Sequence, residues 1–209
     1  MLPKSIVIAL VAILMSLING SASSLAYDFT PVTTLIQNAV DTIPLPGASL
    51  LLIKDGQVIY EKAFGTYTMA DASYGKSANP NLGGGVSLKL RDYGNFLQMV
   101  LSGGMFNGQR VLSENALREM ARDQTNGAPI TFSPYTDGRR YGLGVWRDIV
   151  DAQGHAVQIS SQGLFGFSPW VDYKRNLIGV FLVQNNALKL KPVVNQMQQM
   201  IRDIIDKGQ

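Results

Sequence analysis

Apolar residues along this chain recur in two different periods, and the changes between them mark the elements. Val32, Leu35, Ile36, Ala39 and Val40 fall three or four positions apart, the spacing of one helix face. Thr30 stands before them as an N-cap and Pro31 suits a first helical residue, so a short amphipathic helix is expected from there. After the breaker "PLPG" the pattern becomes that of strands. The segment "ASLLLIKDGQVIYEKAFG" is two β-rich runs joined by Asp55-Gly56, a pair that tolerates positive φ and so favours a two-residue hairpin turn. From Thr66 to Gly85 neither period persists; Gly, Ser, Asn and Pro dominate and the stretch reads as loop.

Helical spacing returns with Tyr93, Phe96, Leu97, Val100 and Leu101 on one apolar face, ended by Gly103-Gly104. Ser113 opens a second helix with Glu114 in its first turn and Leu112 placed to pack on Leu117; it runs to about Arg122. From Tyr141 the runs "YGLGVW", "HAVQISS", "FGFSPWVD" and "LIGVFLVQN" read as short strands, with "DAQG" and "DYKRN" as turns between them. Pro192 is expected to start a last helix, in which Val193, Val194, Met197, Ile201, Ile204 and Ile205 share a face. No internal repeat is present. The order of helix, hairpin, helices, strand meander and helix predicts an α/β fold of the α+β type. It is an antiparallel β-sheet covered by helices from both ends of the chain.

Composition narrows the chemistry. With 46% hydrophobic and 16% charged residues in 209, the chain is long and apolar enough for one domain with a core. Its net charge of +3 is spread along the sequence, without the basic run that would follow a phosphate backbone, so nucleic acid is not an expected partner. Cysteine is absent, which removes disulfides, thiolate metal sites and cysteine nucleophiles. Residues 1–26 read as a signal peptide. Lys4 gives the basic start, "SIVIALVAILMSLI" the apolar centre, and "NGSASSLA" the small residues before cleavage at Ala26. The expected product is an exported protein, periplasmic or secreted, with one domain over residues 27–209; an uncleaved segment would instead anchor it to the membrane.

The candidate chemistry is sparse. Ser73 and Lys76 spell S-x-x-K, a serine nucleophile with a lysine base one helical turn away. A chain with 15 serines and 9 lysines contains roughly 0.6 such matches by chance. Gly75 inside the motif and Asn79-Pro80 after it also oppose the helical turn that the pair requires. The match is read as coincidental. Tyr93-Gly94-Asn95 spells Y-x-N, but Tyr93 belongs to an apolar helix face and reads as a core residue. His155 is the single histidine; it follows "DAQG" and reads as a solvated turn residue, and no G-x-S-x-G elbow exists to pair with it. No spacing of His, Asp and Glu suggests a metal, and no glycine-rich phosphate loop follows a strand, so no metal or cofactor is expected.

Three segments, in order, resemble the β-lactamase and penicillin-binding-protein-like serine hydrolases, which include D,D-peptidases and related esterases. "PGASLLLIKDGQVIYEKAFG" is similar to the opening hairpin of that family. "NLGGGVSLKLRDYGNFLQMVLSGGMFNGQRVLSENALREM" is similar to the stretch after its helical lobe, and "SSQGLFGFSPWVDYKRNLIGVFLVQN" to its closing strands. The resemblance implies acyl transfer to a serine and then to water, on a peptide, lactam or ester. It also implies that an S-x-x-K and a Y-x-N loop should stand between hairpin and glycine-rich stretch. The interval from Thr66 to Gly85 is too short for that lobe, so the expectation is a β-lactamase-like core lacking most of it, and a chain without catalytic activity. Ser161-Gln162-Gly163 stands where the family's closing K-T-G or H-x-G strand stands, with Ser161 replacing the cation or proton relay. Such a strand either borders a groove that holds peptide or cell-wall fragments, or lies within the sheet. A non-catalytic exported binding protein is the second reading. Loss of the lobe would bare apolar surface and favour self-association.

Overall fold

In the computed structural model the described residues are 27–43, 45–65, 89–131, 133, 135, 137–183 and 185–208. The leader, the 66–85 interval and the Ser73/Lys76 pair lie outside them. The opening hairpin forms as the sequence predicts: β1 (Gly47–Lys54) and β2 (Gln57–Gly65) pair antiparallel up to Lys54 opposite Gln57. Asp55 and Gly56 supply φ of +51° and +76°, the left-handed pair of a type I′ turn, whose twist matches that of the strands. In β1, successive side chains alternate between two cores: Leu50 and Leu52 enter one, Leu51 and Ile53 the other.

Four strands from the second half complete the sheet: β5 (Trp146–Val150), β6 (Ala156–Ser160), β7 (Ser168–Asp172) and β8 (Leu177–Val183). The order β2-β1-β8-β7-β6-β5 is antiparallel throughout, and β1 beside β8 joins the two halves of the chain at the sheet centre. Helices α1 (Thr30–Thr42) and α4 (Ala187–Lys207) pack on one face through Val32, Ile36, Val194, Met197 and Ile201. Helices α2 (Leu90–Leu101) and α3 (Glu114–Ala121) cover the other through Leu97, Val100 and Leu117. Between them a two-residue hairpin pairs β3 (Met105–Phe106) with β4 (Gln109–Arg110).

The structure corrects several boundaries. Thr30 is the first helical residue of α1 rather than its cap. Phe29 holds the cap position, and the Thr30 N–H donates to Asp28 Oδ1 at 2.9 Å. Helix α4 starts five residues before Pro192, because the Asn186 side chain accepts from Leu188 N–H at 2.9 Å and Leu190 is buried in the core. Pro192 therefore sits inside the helix, on its exposed side, where it forfeits one backbone bond. "YGLGVW" is not a strand: Gly142 N–H donates to Val145 C=O at 2.8 Å, so residues 141–146 fold back on themselves and β5 begins only at Trp146. On α2, Phe96 is exposed while Met99 is buried.

Helix α3 begins as the sequence predicts. Ser113 Oγ accepts from the Ala116 N–H at 3.1 Å. Ser113→Ala should remove about 1 kcal/mol of stability, since this cap has no replacement acceptor. Urea unfolding followed by circular dichroism measures it, and an unchanged midpoint would contradict this role.

Candidate functional site

Beyond Ser160 the chain of β6 continues as an extended arm. Ser161 N–H donates to Pro169 C=O at 3.3 Å, Gly163 N–H donates to Phe167 C=O at 2.8 Å, and Gly166 N–H donates back to Gly163 C=O at 3.0 Å. In an antiparallel ladder the N–H and C=O of alternate residues point to opposite edges. Ser161 and Gly163 thus face β7, and the N–H and C=O of Gln162 face outward, with no backbone bond to any described residue. Strand β5 does not cover them, because it starts at Trp146 opposite Ser160. The Ser161-Gln162-Gly163 stretch therefore continues past the last residue of β6, paired with β7 on one side and beyond the β5 ladder on the other.

On the α2 side this arm borders a groove of ≈ 240 Å³ whose walls include Tyr93, Phe96, Leu143, Ser160, Ser161 and Pro169. Tyr93 packs edge-on against Phe167 at 4.7 Å, and burial raises its phenol above the ordinary tyrosine value. Tyr93 was expected only as a core residue; it also forms a wall of the site. The one sequence signal for it is the Y-x-N spelling. Phe96 and Leu143 are exposed in the groove, and Leu164 and Phe165, directly after Gly163, are 68% and 74% exposed. The Ser161 hydroxyl has no hydrogen bond to any described side chain.

On the α4 side the same arm rests on a polar cluster. Gln162 Oε1 accepts from the Tyr135 hydroxyl at 2.6 Å. The Tyr135 ring is buried and has two cations near its centroid, the Arg139 guanidinium at 3.9 Å and the Lys191 ammonium at 4.4 Å. Burial and the nearby Asp148 charge push the Tyr135 phenol up to about 12, so at neutral pH it is a hydrogen-bond donor and not a base. Asp148, with a side chain only 5% exposed, accepts from Arg139 Nη1 at 2.5 Å, Ser160 Oγ at 3.0 Å and Gln158 Nε2 at 3.2 Å. Burial pushes its carboxyl above the ordinary value, with Arg139 opposing the shift. Gln158 in turn accepts from Arg202 Nη1 at 3.0 Å and donates to Gln198 Oε1 at 3.3 Å, tying the cluster to α4. Tyr135, Arg139 and Asp148 were not singled out by sequence. The segment "SPYTDGRR" has no period, and the partners meet only through the fold.

His155 is a turn residue as expected: it is exposed, its Nδ1 lies 3.2 Å from Asp151 Oδ2, and it sits at the opposite end of β6 from Ser161. No group of three or more His, Cys, Asp or Glu among the described residues is placed to hold a metal. Among the described residues the arrangement thus offers an unpaired backbone edge, an apolar groove and donor groups behind it, and no nucleophile paired to a base.

No protein-family model matches the chain, and no curated protein does. Among solved structures, the fold is similar to the crystal structure of a "putative beta-lactamase" from Bacteroides dorei DSM 17855. The TM-score is 0.69 at 18% identity, with 86% of this chain and 99% of that chain covered. The fold is therefore β-lactamase-like, an α+β sandwich, as the three sequence segments implied. Looser overlaps exist with a "putative 6-aminohexanoate-dimer hydrolase" from Bacillus anthracis (TM-score 0.45, 22% identity, 56% of this chain and 29% of that one). A penicillin-binding protein homolog from Caulobacter crescentus overlaps in the same way (TM-score 0.36, 14% identity, 49% and 30%). These two are too partial to bear on the site.

Proposed function

We propose that this chain is an exported β-lactamase-related protein of the serine hydrolase type. In this reading it holds an extended peptide or cell-wall fragment beside Gln162 and does not hydrolyse it. The outward N–H and C=O of Gln162, next to an apolar groove, carry the reading. A strand added there gains main-chain bonds at the edge and places alternate side chains against Phe96 and Leu143. The exposed Leu164 and Phe165, directly after Gly163, favour self-association. Lack of catalysis rests on the interval from Thr66 to Gly85, too short for the lobe that carries nucleophile and base in the resembling family, and on Ser161, which stands where that family has a cation or proton relay. Export rests on the leader over residues 1–26.

Two assays decide it. Retention on insoluble peptidoglycan should survive in Gln162→Ala, which keeps the main chain. It should fall at least tenfold in Gln162→Pro, which removes the outward N–H. Incubation with a fluorescent penicillin or a fluorophosphonate should leave no serine adduct. An adduct mapped to Ser73 and lost in both Ser73→Ala and Lys76→Ala would establish an active hydrolase instead, and equal retention of the two Gln162 variants would remove the edge from the account.

A further inference from the structure

A second cleft, larger than the groove at Ser161, lies at the other end of β6. It measures ≈ 730 Å³ and opens between α2, α3 and the turn joining β5 to β6, a size suited to small organic ligands. Its apolar lining comes from Val100, Leu101, Leu117, Ala121 and Ala156. Two donors that the Ser161 groove does not use converge on it. Arg147 is only 8% exposed; its Nε donates to Ala121 C=O at 3.0 Å and its Nη2 donates to Gly154 C=O. Its Nη1 has no hydrogen bond to any described residue, because the carboxylate facing it, Asp123 Oδ2, stands at 4.0 Å, beyond bonding length. The Tyr173 hydroxyl likewise bonds to no described residue, and burial pushes that phenol up to about 12, which keeps it a donor at neutral pH. The acids of the cleft are already engaged: Glu114 with Arg110 and Arg118, Glu119 with Arg122, and Asp123 with Thr125.

The geometry points to a binding site for a small apolar carboxylic acid. The carboxylate accepts from Arg147 and Tyr173, and the hydrocarbon body lies on Leu117 and Ala156. The guanidinium is held in place by two carbonyls and faces Asp123 at 4.0 Å, and its Nη1 hydrogens remain for an arriving anion. A carboxylate also matches the planar guanidinium fork and binds through charge-assisted bonds, which a neutral hydroxyl head cannot do.

The test titrates the full chain with 4-phenylbutyrate and, separately, with 4-phenylbutan-1-ol, following amide shifts by NMR. The acid should give saturable shifts at Ala121, Gly154 and Ala156, and the alcohol should bind at least tenfold more weakly. Arg147→Gln should abolish the difference between acid and alcohol. Tyr173→Phe removes one oxygen without disturbing the walls, and should weaken the acid severalfold, so the inference stays testable if the arginine variant does not fold. Equal binding of acid and alcohol, shifts confined to Ser161–Phe167, or no saturable shift at millimolar concentration would each overturn it.

Discussion

Trp170→Ala should lower the unfolding free energy by about 3–5 kcal/mol, the range for emptying a large aromatic site in a packed core. The side chain is 2% exposed and lies in the core shared with α1 and α4. It faces Gly179 across the β7–β8 ladder so closely that a Cβ there would stand 2.1–2.5 Å from three atoms of the indole. Gly179 is therefore the hole into which the ring fits, and the two positions act as a pair. Alanine at 170 leaves a cavity between a strand and a helix that cannot both close on it. For a chain of this size the loss corresponds to a fall in Tm on the order of 10 °C, read by calorimetry or thermal circular dichroism. Gly179→Ala should also destabilise, by clash rather than by cavity, and adding it to Trp170→Ala should cost less than the sum of the two. Additive losses would mean that the two sites are independent.

This pairing illustrates what the sequence could and could not reveal. Strand β8 was legible as a run of apolar residues, but nothing in "LIGVFLVQN" says that its glycine meets a tryptophan from β7. Elements whose signal is local were legible: the Asp55-Gly56 turn, the Ser113 cap and the apolar faces of α1 and α4. Boundaries failed where a tertiary contact outweighed a local one. Burial of Leu190 draws α4 past its proline, and the Leu143 N–H bond to Met120 C=O at 2.9 Å helps hold "YGLGVW" as a turn. The site was legible in one strand only. Ser161-Gln162-Gly163 was placed by its position among the closing strands, whereas Tyr135, Arg139 and Asp148 sit in aperiodic segments or on an edge strand. They become a cluster only when β5, β6 and α4 are brought together.

That cluster should be the next most sensitive place. Asp148→Ala should cost about 3–5 kcal/mol, because it strands a largely buried guanidinium: Arg139 keeps Asp137 but loses its inner partner, and Ser160 and Gln158 lose an acceptor. Asp148→Asn keeps the shape and isolates the charge. Burial raises the folded-state pKa of Asp148 above its unfolded value, so the folded protein holds that proton more tightly. The contribution of Asp148 is then greatest below the unfolded carboxylate value and declines as pH rises through the folded one. Asp137 and Asp206 run the other way. Arg139 and Arg175 respectively lower their folded pKa values, so their contribution is present above the unfolded value and is lost as pH falls. Asp206, paired with Arg175, is common to both chains and cancels when one urea-unfolding curve is subtracted from the other; Asp137 shares Arg139 with Asp148, is lowered further in the variant, and so changes the difference in the same direction. The stability difference, wild type minus Asp148→Asn, should therefore shrink as pH is raised from the acid limb towards neutrality. A difference that grows with pH would show that attraction to Arg139 outweighs burial at this carboxylate.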